Sequence, residues 1–510
     1  MDALANTARL DRAAAPYGPP RHLSAAERWL TPGQGVFVAL LLMGIVVWLS
    51  RDAGGAWHTA SIVVPGTFLV AALWRLLLIG VSLRPAAPIQ PVADLPRYTV
   101  VAALHDEAEV LPQLVAHLAA LDYPADRLQG FLALEAHDHD TIEAAWAADR
   151  PDWLSILIVP PGKPQTKPRA LNHALARATG DLITVYDAED EPDPLQLREA
   201  AGRFASDPEG TLACLQAPLR IRRRSASPDA SPFLDRQFAV EYAALFEVAL
   251  PGMTRLGLPF PLGGTSNHFR VDILRQVGGW DPWNVTEDAD LGFRLWRHGY
   301  RLGMLGRPTW ETPPGDLRAW LPQRNRWMKG YMQTFGVHTR RPLGLGLRGL
   351  VALVMTLGVS LASAAVHAPS VAWVMAAVMV AFDAGLTPAT PVPALSVLLL
   401  GASVAWVSAL IGARRAGVPY GLFDMLQAPA YWSLLSLAFV HAAFRLVTQP
   451  FAWDKTHHSP DPVDRPSADD ESDRQADPGP FAGANDDLRQ KPRARRLASA
   501  SAGQNSSMPG

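Results

Sequence analysis

Cysteine is nearly missing from this chain. One residue, Cys214, stands among 510, which excludes an internal disulfide and a thiolate zinc cluster and suits a reducing compartment for its segment. Charge is scarce as well, with 18% charged residues against 49% hydrophobic ones. The formal net charge is -2, and no basic stripe is present to neutralise a phosphate backbone, so nucleic acid is excluded as a partner. Lysine is rare, five residues against 41 arginines. A chain this long exceeds one compact core, and its apolar excess is local, which points to membrane segments rather than to a uniformly apolar globule.

What is present divides the chain by character. Residues 1–34 are polar and rich in Ala and Pro, with Arg9, Arg12, Arg21 and Arg28 and no leader-cleavage pattern, and are expected to form a cytosolic tail. The runs at 35–50 and 61–83 are each long enough to cross a hydrocarbon core of about 30 Å. Arg75 falls inside the second, so it must lie near an interface or face protein. From 96 to 340 the pattern becomes α/β. RYTVVAAL (97–104), LQGFLALEAHDHD (128–140), SILIVPP (155–161) and DLITVYDAED read as strands, and EAEVLPQLVAHLAALDY as an amphipathic helix. Strands alternating with helices predict a mostly parallel, doubly wound sheet whose ligands bind beyond the strand carboxyl ends. After 340 four further apolar segments follow, at 349–366, 371–386, 394–412 and 429–447, transmembrane or interfacial, the second and last of them short. Residues 456–510, rich in Pro, Ser, Asp and Arg, are expected to be disordered.

Arginines before the first span, and Arg84 and Arg97 after the second, outweigh Arg51 and Asp52 between them. This predicts both termini and the 96–340 domain in the cytoplasm. Four full crossings after 340 would leave Arg414 and Arg415 outside. Either one late segment lies along the interface, or the charge rule breaks there.

The stretch VYDAEDEPDP (185–194) crowds Asp187, Glu189, Asp190, Glu191 and Asp193 at a strand end. Packed carboxylates repel unless a cation or solvent relieves them. Alternate acids on an extended turn suit a hard divalent ion, while the plainer reading is a solvated acidic loop. PPGKPQTKPRALNHAL (160–175) sets Lys163, Lys167 and Arg169 before a helix start, a place for an anion such as a diphosphate or an ordinary basic loop. PLGGTSNHF (261–269) reads as a small-residue loop where backbone at Gly264 can approach a ligand, or a plain glycine turn. In WNVTEDADLGFRLWRHGY, Thr286 is a candidate N-cap and Glu287 and Asp288 suit the helix dipole, with or without a catalytic role. In LPQRNRWMKGY, Gln323, Arg326 and Trp327 share one helix face. Trp offers a platform for a sugar ring and Arg a fork for phosphate oxygens, though an interfacial anchor would use the same residues.

HDE, the acids around Asp138, TKPRALN, DAED, TED and QRNRW occur in this order between membrane segments. The ordered set resembles the membrane-embedded family-2 glycosyltransferases of the cellulose-synthase-like group, well over about 96–335 and in general plan elsewhere. The resemblance implies an A-type glycosyltransferase fold, a nucleotide-sugar-binding domain inserted between transmembrane helices. Asp106, Glu107, Asp138, Lys167 and Arg169 would then meet the nucleotide, and Asp187 with Glu189 or Asp190 would hold Mg²⁺ or Mn²⁺. Asp288 would be the general base beside Glu287, and Gln323, Arg326, Trp327 and Gly264 would serve the acceptor. Departures are Leu104-His105-Asp106-Glu107 in place of an aromatic-Asn-Glu, His137 where many relatives carry Asp, and DAE where many read DxD.

The implied chemistry is inverting transfer from a nucleotide sugar, UDP-linked by family habit, to a growing β-linked polysaccharide. The setting would be a bacterial inner membrane with a cytoplasmic catalytic domain and possible accessory subunits. One rival moves a single sugar onto a polyprenyl phosphate or other lipid. A more distant one is a transporter with a nucleotide-sensing cytosolic domain, which would need paired charges within its spans; Arg75, Asp383 and few others are there.

Overall fold

The computed structural model describes residues 17–26, 28–85, 92, 94–222, 231–384 and 392–451. The expected C-terminal tail and residues 1–16 of the expected N-terminal tail lie outside them.

Four apolar strands form where the sequence places them: β1 (Tyr98–Leu104), β2 (Leu128–Glu135), β3 (Leu154–Val159) and β4 (Leu182–Tyr186). β5 (Glu191–Pro192), β6 (Leu212–Gln216), β7 (Leu219–Ile221), β8 (Asn267–Arg270), β9 (Arg301–Met304) and β10 (Thr309–Glu311) follow. Seven of them make one sheet in the order β3-β2-β1-β4-β8-β6-β9, and β5-β10-β7 make a small second sheet. In the large sheet only β8 runs against its neighbours β4 and β6, so the sheet is mostly parallel, as expected. Both faces of β1 are covered: Val101 enters one core, Val100 and Ala102 the other. That is why its sequence is a continuous apolar run rather than an alternation.

The later strands are short and partly polar, so periodicity alone did not reveal them. In β8 the buried His268 sits between the Tyr98 hydroxyl, 2.6 Å from Nδ1, and Gln196, 3.0 Å from Nε2. The stretch read as the loop 261–269 therefore ends in a strand. Its polar side chains are satisfied by residues distant in sequence.

The helices that frame the site are α1 (Pro32–Arg51), α2 (Ala53–Ser82), α3 (Lys167–Leu175), α4 (Pro232–Ala244), α5 (Glu287–Arg297), α6 (Leu317–Thr339), α7 (Pro342–Asp383), α8 (Val392–Ala416) and α9 (Leu422–Thr448). Five of these, α1, α2, α7, α8 and α9, are long and apolar enough to cross a membrane. The segments read as separate at 349–366 and 371–386 are one helix of 42 residues. Pro369 lies inside it without breaking it, as happens where neighbouring helices re-satisfy the freed backbone. At about 1.5 Å per residue α7 far exceeds a bilayer core. Its first part lies against the α/β unit, with Trp296 Nε1 donating to the Leu345 carbonyl at 2.9 Å.

This merger resolves the placement of Arg414 and Arg415. The Arg415 guanidinium donates to the carbonyls of Glu247 (2.5 Å) and Ser82 (3.2 Å), and its own carbonyl accepts from Arg220. The arginine pair therefore sits at the α/β side. α9 is tied there at both ends: Arg236 forks onto Asp424 with two 2.6 Å bonds, and Gln333 reaches the Pro450 carbonyl at 2.8 Å. It lies along α6, where Asn325 Nδ2 and His441 Nδ1 are 2.5 Å apart. One core joins Leu78 of α2, Trp320 of α6 and Tyr431 of α9 to the sheet. The described part of the N-terminal tail also packs onto the α/β unit. Ser24 Oγ and the Ala25 N–H donate to Asp281 at 3.0 and 2.7 Å.

Cys214 is buried, so engineered thiols report topology cleanly. Arg414→Cys is expected to react with a membrane-impermeant maleimide from the same side as Glu143→Cys on the α/β surface, and Arg51→Cys from the opposite side. Reaction of Arg414→Cys together with Arg51→Cys would overturn this helix arrangement.

Candidate active site

β1, β2 and β4 are parallel, so the loops after them meet at one edge. Because β8 runs the other way, with Asn267 opposite Val185, the loop 261–266 that enters it arrives at the same edge.

At the β1 end, Asp106 adopts a positive φ of 55° and its N–H donates to Asp138 Oδ2 at 2.6 Å. Asp138 caps the helix that begins at His139, accepting from the Thr141 N–H at 3.2 Å. Burial pushes the Asp138 carboxyl up, but the N–H groups of Asp106 and Thr141 and the Thr141 hydroxyl outweigh it and hold it below its usual value. His105, Asp106 and Asp138 bring ligand atoms within 4.8 Å of one another, which is the three-residue metal-capable group among the described residues. It includes none of the DAED residues, where the ion was expected. Arg169 is committed elsewhere, its Nη2 donating to both Glu135 oxygens at 2.6 and 2.8 Å.

At the β4 end the acids separate into two roles. Asp190 is fully buried and faces inward; its Oδ2 accepts from the Asp187 N–H at 2.7 Å and pairs with the Thr265 hydroxyl. Asp187 and Glu189 line the cavity instead. Lys167, the first residue of α3, bonds Asp187 Oδ1 and the Gly264 carbonyl, the latter at 2.8 Å. Burial works against its charge, yet Asp187, Glu287 and Asp190 hold the Lys167 ammonium above its usual value. Glu311, at the end of β10, enters the same cavity and was not singled out in the sequence. Burial, then Asp190, Glu189 and Asp187, push its carboxyl well up. Hard oxygen donors from Asp187 and Glu189, in a crowd of acids faced by Lys167, fit a divalent cation.

α5 begins at Glu287, and its first turn is zipped to α6. The Val285 N–H donates to Gln333 Oε1 (3.1 Å), Asn284 Nδ2 to Thr334 Oγ1 (3.0 Å), and Thr286 packs on Gly330. Thr286 occupies the N-cap position without a side-chain capping bond. Below the turn, the fully buried Asp290 accepts from Arg294 at 3.1 Å and meets His338 Nε2 at 3.1 Å. Burial pushes Asp288 up to about 6, against the Ala289 N–H, Lys167 and Arg326. Burial and then Asp288 push Glu287 up to about 8. A methyl on Gly264 would stand 3.3 Å from Asp288 Oδ2 and 4.0 Å from Lys167 Nζ, so that glycine is the floor between them.

Gln323, Arg326 and Trp327 all face the cavity, as their helical spacing requires. Arg324, which the sequence reading passed over, holds them in place. It forks onto Glu241 at 2.7 and 2.6 Å and lies 4.6 Å from the Trp327 ring centre. The only sequence signal was an arginine within an aromatic-rich helix.

The cavity encloses about 890 Å³ and is continuous from Lys167, Asp187, Glu287 and Asp288 past Trp327 to Phe68, His367, Trp406 and Trp432 of the apolar helices. Of the expected site residues, Glu107, Lys167, Asp187, Glu189, Gly264, Glu287, Asp288, Gln323, Arg326 and Trp327 line it. Asp106, Asp138, Arg169 and Asp190 do not; the last three make the local bonds just described, while Asp190 Oδ1 and Arg169 Nε are buried without a partner.

Residues 182–444 match the family profile "Glycosyl transferase family group 2", and residues 99–231 match "Glycosyl transferase family 2". The chain is 29% identical over 246 residues to beta-monoglucosyldiacylglycerol synthase of Synechocystis sp., covering 47% of this chain and 49% of that protein. It is 27% identical over 298 residues to the UDP-forming cellulose synthase 1 catalytic subunit of Komagataeibacter xylinus, covering 55% and 38%. It thus spans half or less of the length of these relatives. Among solved structures, mannosyltransferase PcManGT from Pyrobaculum calidifontis, in complex with GDP-Man and Mn2+, shares the fold. Its TM-score is 0.51 at 18% identity, over 76% of this chain and 98% of that one.

A Cβ at Gly330 would collide with the Thr286 side chain. Gly330→Ala is therefore expected to push α5 from α6 and destabilise the fold by about 1–3 kcal/mol, the usual range for overpacking. Thermal melting in detergent checks it; an unchanged melting temperature would mean that this contact does not hold the two helices.

Proposed function

The chain belongs to glycosyl transferase family group 2, and we propose that it transfers a sugar with inversion from a nucleoside diphosphate sugar to an acceptor held in the cavity. The observation that carries this is the continuity of that cavity, from the acids at the sheet edge to the apolar helices.

In this reading the nucleotide lies over the ends of β1 and β4, at Glu107, Lys167 and Asp187, with Asp138 and Arg169 shaping the loops beneath. Asp187 and Glu189 would hold a divalent ion, Mg²⁺ or Mn²⁺, which when bound supplies positive charge to the departing diphosphate. The Lys167 ammonium, fixed between Asp187 and the Gly264 carbonyl, adds to the same stabilisation. The acceptor oxygen bonds to the anomeric carbon while the bond from that carbon to the diphosphate oxygen breaks. The diphosphate leaves with the electron pair, and the acceptor proton passes to Asp288. Displacement on one face inverts the centre, giving a β-linkage from an α-linked donor.

Asp288, held at about 6, is ionised at neutral pH yet more basic than an ordinary carboxylate, which suits a general base. Glu287, held at about 8, stays largely protonated there and leaves the negative charge to its neighbour.

For the acceptor, Gln323, Arg326 and Trp327 beside the base favour a growing β-linked polysaccharide, in the manner of the cellulose-synthase-like group. A second reading, one sugar onto a lipid acceptor, is favoured by the apolar cavity walls that α2, α7 and α8 supply. Product length separates the two. Supporting the wider setting, the five long apolar helices suit a multi-pass membrane protein. We place it in a bacterial inner membrane, with the α/β unit cytoplasmic, a UDP-linked donor and room for accessory subunits. The family match leaves the transporter reading without support.

With purified protein and a nucleotide-sugar panel, Asp288→Asn is expected to cut transfer by about 10²- to 10⁴-fold while nucleotide binding survives. EDTA or Asp187→Asn should abolish turnover. Because the base must be deprotonated, wild-type activity should fall about tenfold per pH unit below about 6. Full transfer by Asp288→Asn would remove it as the base, and EDTA-insensitive turnover would remove the ion.

A further inference from the structure

Arg75 is a charged side chain within an apolar helix, and its surroundings specify what it lacks. It shares one face of α2 with Phe68, Ala71, Ala72 and Leu78, all lining the cavity. The nearest opposite charge acting on it is Glu241 of α4. Both Glu241 oxygens are already taken, by the Arg324 fork at 2.7 and 2.6 Å and by the Tyr431 hydroxyl at 2.6 Å. Among the described residues the Arg75 guanidinium makes no hydrogen bond or ion pair. Trp406 Nε1, a second donor on the same cavity wall, is buried and also without an acceptor. An arginine at membrane depth persists when it faces protein or a cavity and has an anion to meet. An orphan Trp406 N–H, the unpartnered His367 Nε2 and an arginine without a hydrogen bond leave this wall open to a group rich in acceptor oxygens.

Arg75 stands seven residues before Ser82, whose carbonyl marks the α/β side through its bond to Arg415. At about 1.5 Å per residue this is on the order of 10 Å into the helix bundle, near the boundary between head groups and acyl chains. The cavity walls along these helices are mostly hydrocarbon, Phe68, Leu78, Met355 and Leu398 among them, with Ser360, Ser363, His367 and Ser408 as polar exceptions. A sugar polymer would leave its hydroxyls unpaired against such walls, whereas a lipid chain fits them.

We propose that Arg75 binds the phosphate of a lipid acceptor whose chain occupies the apolar end of the cavity. This rests on the second reading above, in which the cavity receives a lipid acceptor. The diphosphate of the donor belongs to the far end, at Lys167, so the two anions occupy separate cationic sites.

The test uses the full-length protein in a neutral detergent, with binding read by native mass spectrometry and tryptophan fluorescence. The probes are a polyprenyl phosphate, the matching polyprenol, phosphatidylglycerol and a glucuronate oligosaccharide. Wild type should bind the polyprenyl phosphate on the order of 10- to 100-fold more tightly than the polyprenol. Arg75→Gln should lose that preference and Arg75→Lys keep part of it, with nucleotide binding equal in all three to show that the fold survives. Equal affinity for phosphate and alcohol in wild type, or a preference retained by Arg75→Gln, would overturn the proposal. So would Arg75-dependent binding confined to the glucuronate, which assigns the site to a charged polymer, or equal binding of phosphatidylglycerol, which assigns it to bilayer lipid. Donor turnover in the same samples separates the two failures. A wild type that turns over no donor sinks the transferase reading, whereas turnover without phosphate preference sinks only this one.

Discussion

The site is organised by a charge imbalance: carboxylates gather where the sheet ends, and one lysine stands among them. Asp187, Asp190 and Glu287 all act on Lys167, and Glu311 joins the crowd from the second sheet. Like charges at this spacing raise one another unless something positive or a hydrogen bond intervenes. The structure answers differently at each acid. Asp190 takes the Asp187 N–H and the Thr265 hydroxyl and becomes a brace for its turn. Asp187 takes Lys167. Glu287 and Asp288 divide their burden by titrating apart, to about 8 and about 6. What negative charge remains faces the cavity, where a divalent ion and a diphosphate could together balance it.

Holding such a cluster requires a stiff frame, and the frame is shared with the apolar helices. The turn that carries Asp288 is bonded to α6 through Gln333 and Thr334, and the QRNRW segment of that same helix forms the next wall. α6 is in turn fixed to α9 by Arg324, Tyr431 and Asn325. A displacement of the apolar helices would therefore be felt at Asp288 within two layers of contact. The cavity acids and the apolar end of the cavity are thus built on one continuous set of packed side chains.

Much of this was legible in the sequence because its causes are local. Continuous apolar runs marked the central parallel strands, since a strand covered on both faces has no polar side. Acids following those runs marked the edge where the cavity opens, and Gln323, Arg326 and Trp327 could be placed on one face from spacing alone. Long apolar runs marked the helices long and apolar enough to cross a membrane. Other features escaped. The apolar pattern divides 349–366 from 371–386, yet the helix runs on through Pro369, as a helix in an apolar setting does when its neighbours supply the lost contacts. β8 (NHFR) and β9 (RLGM), four residues each and partly polar, do not announce themselves.

The sequence by itself determined the α/β rhythm, the apolar helices and the order of chemically able residues, because each follows from neighbours a few positions away. Only the tertiary structure decided which acid faces the cavity and which braces a turn, since Asp187, Glu189 and Asp190 are equivalent until Thr265 and Lys167 arrive from elsewhere in the chain. It alone put Glu311 beside them and Arg324 beneath Trp327. It also left Arg75 without a partner, because Glu241 was claimed by residues 83 and 190 positions away. Burial and pairing are properties of the packed chain, and no local pattern carries them.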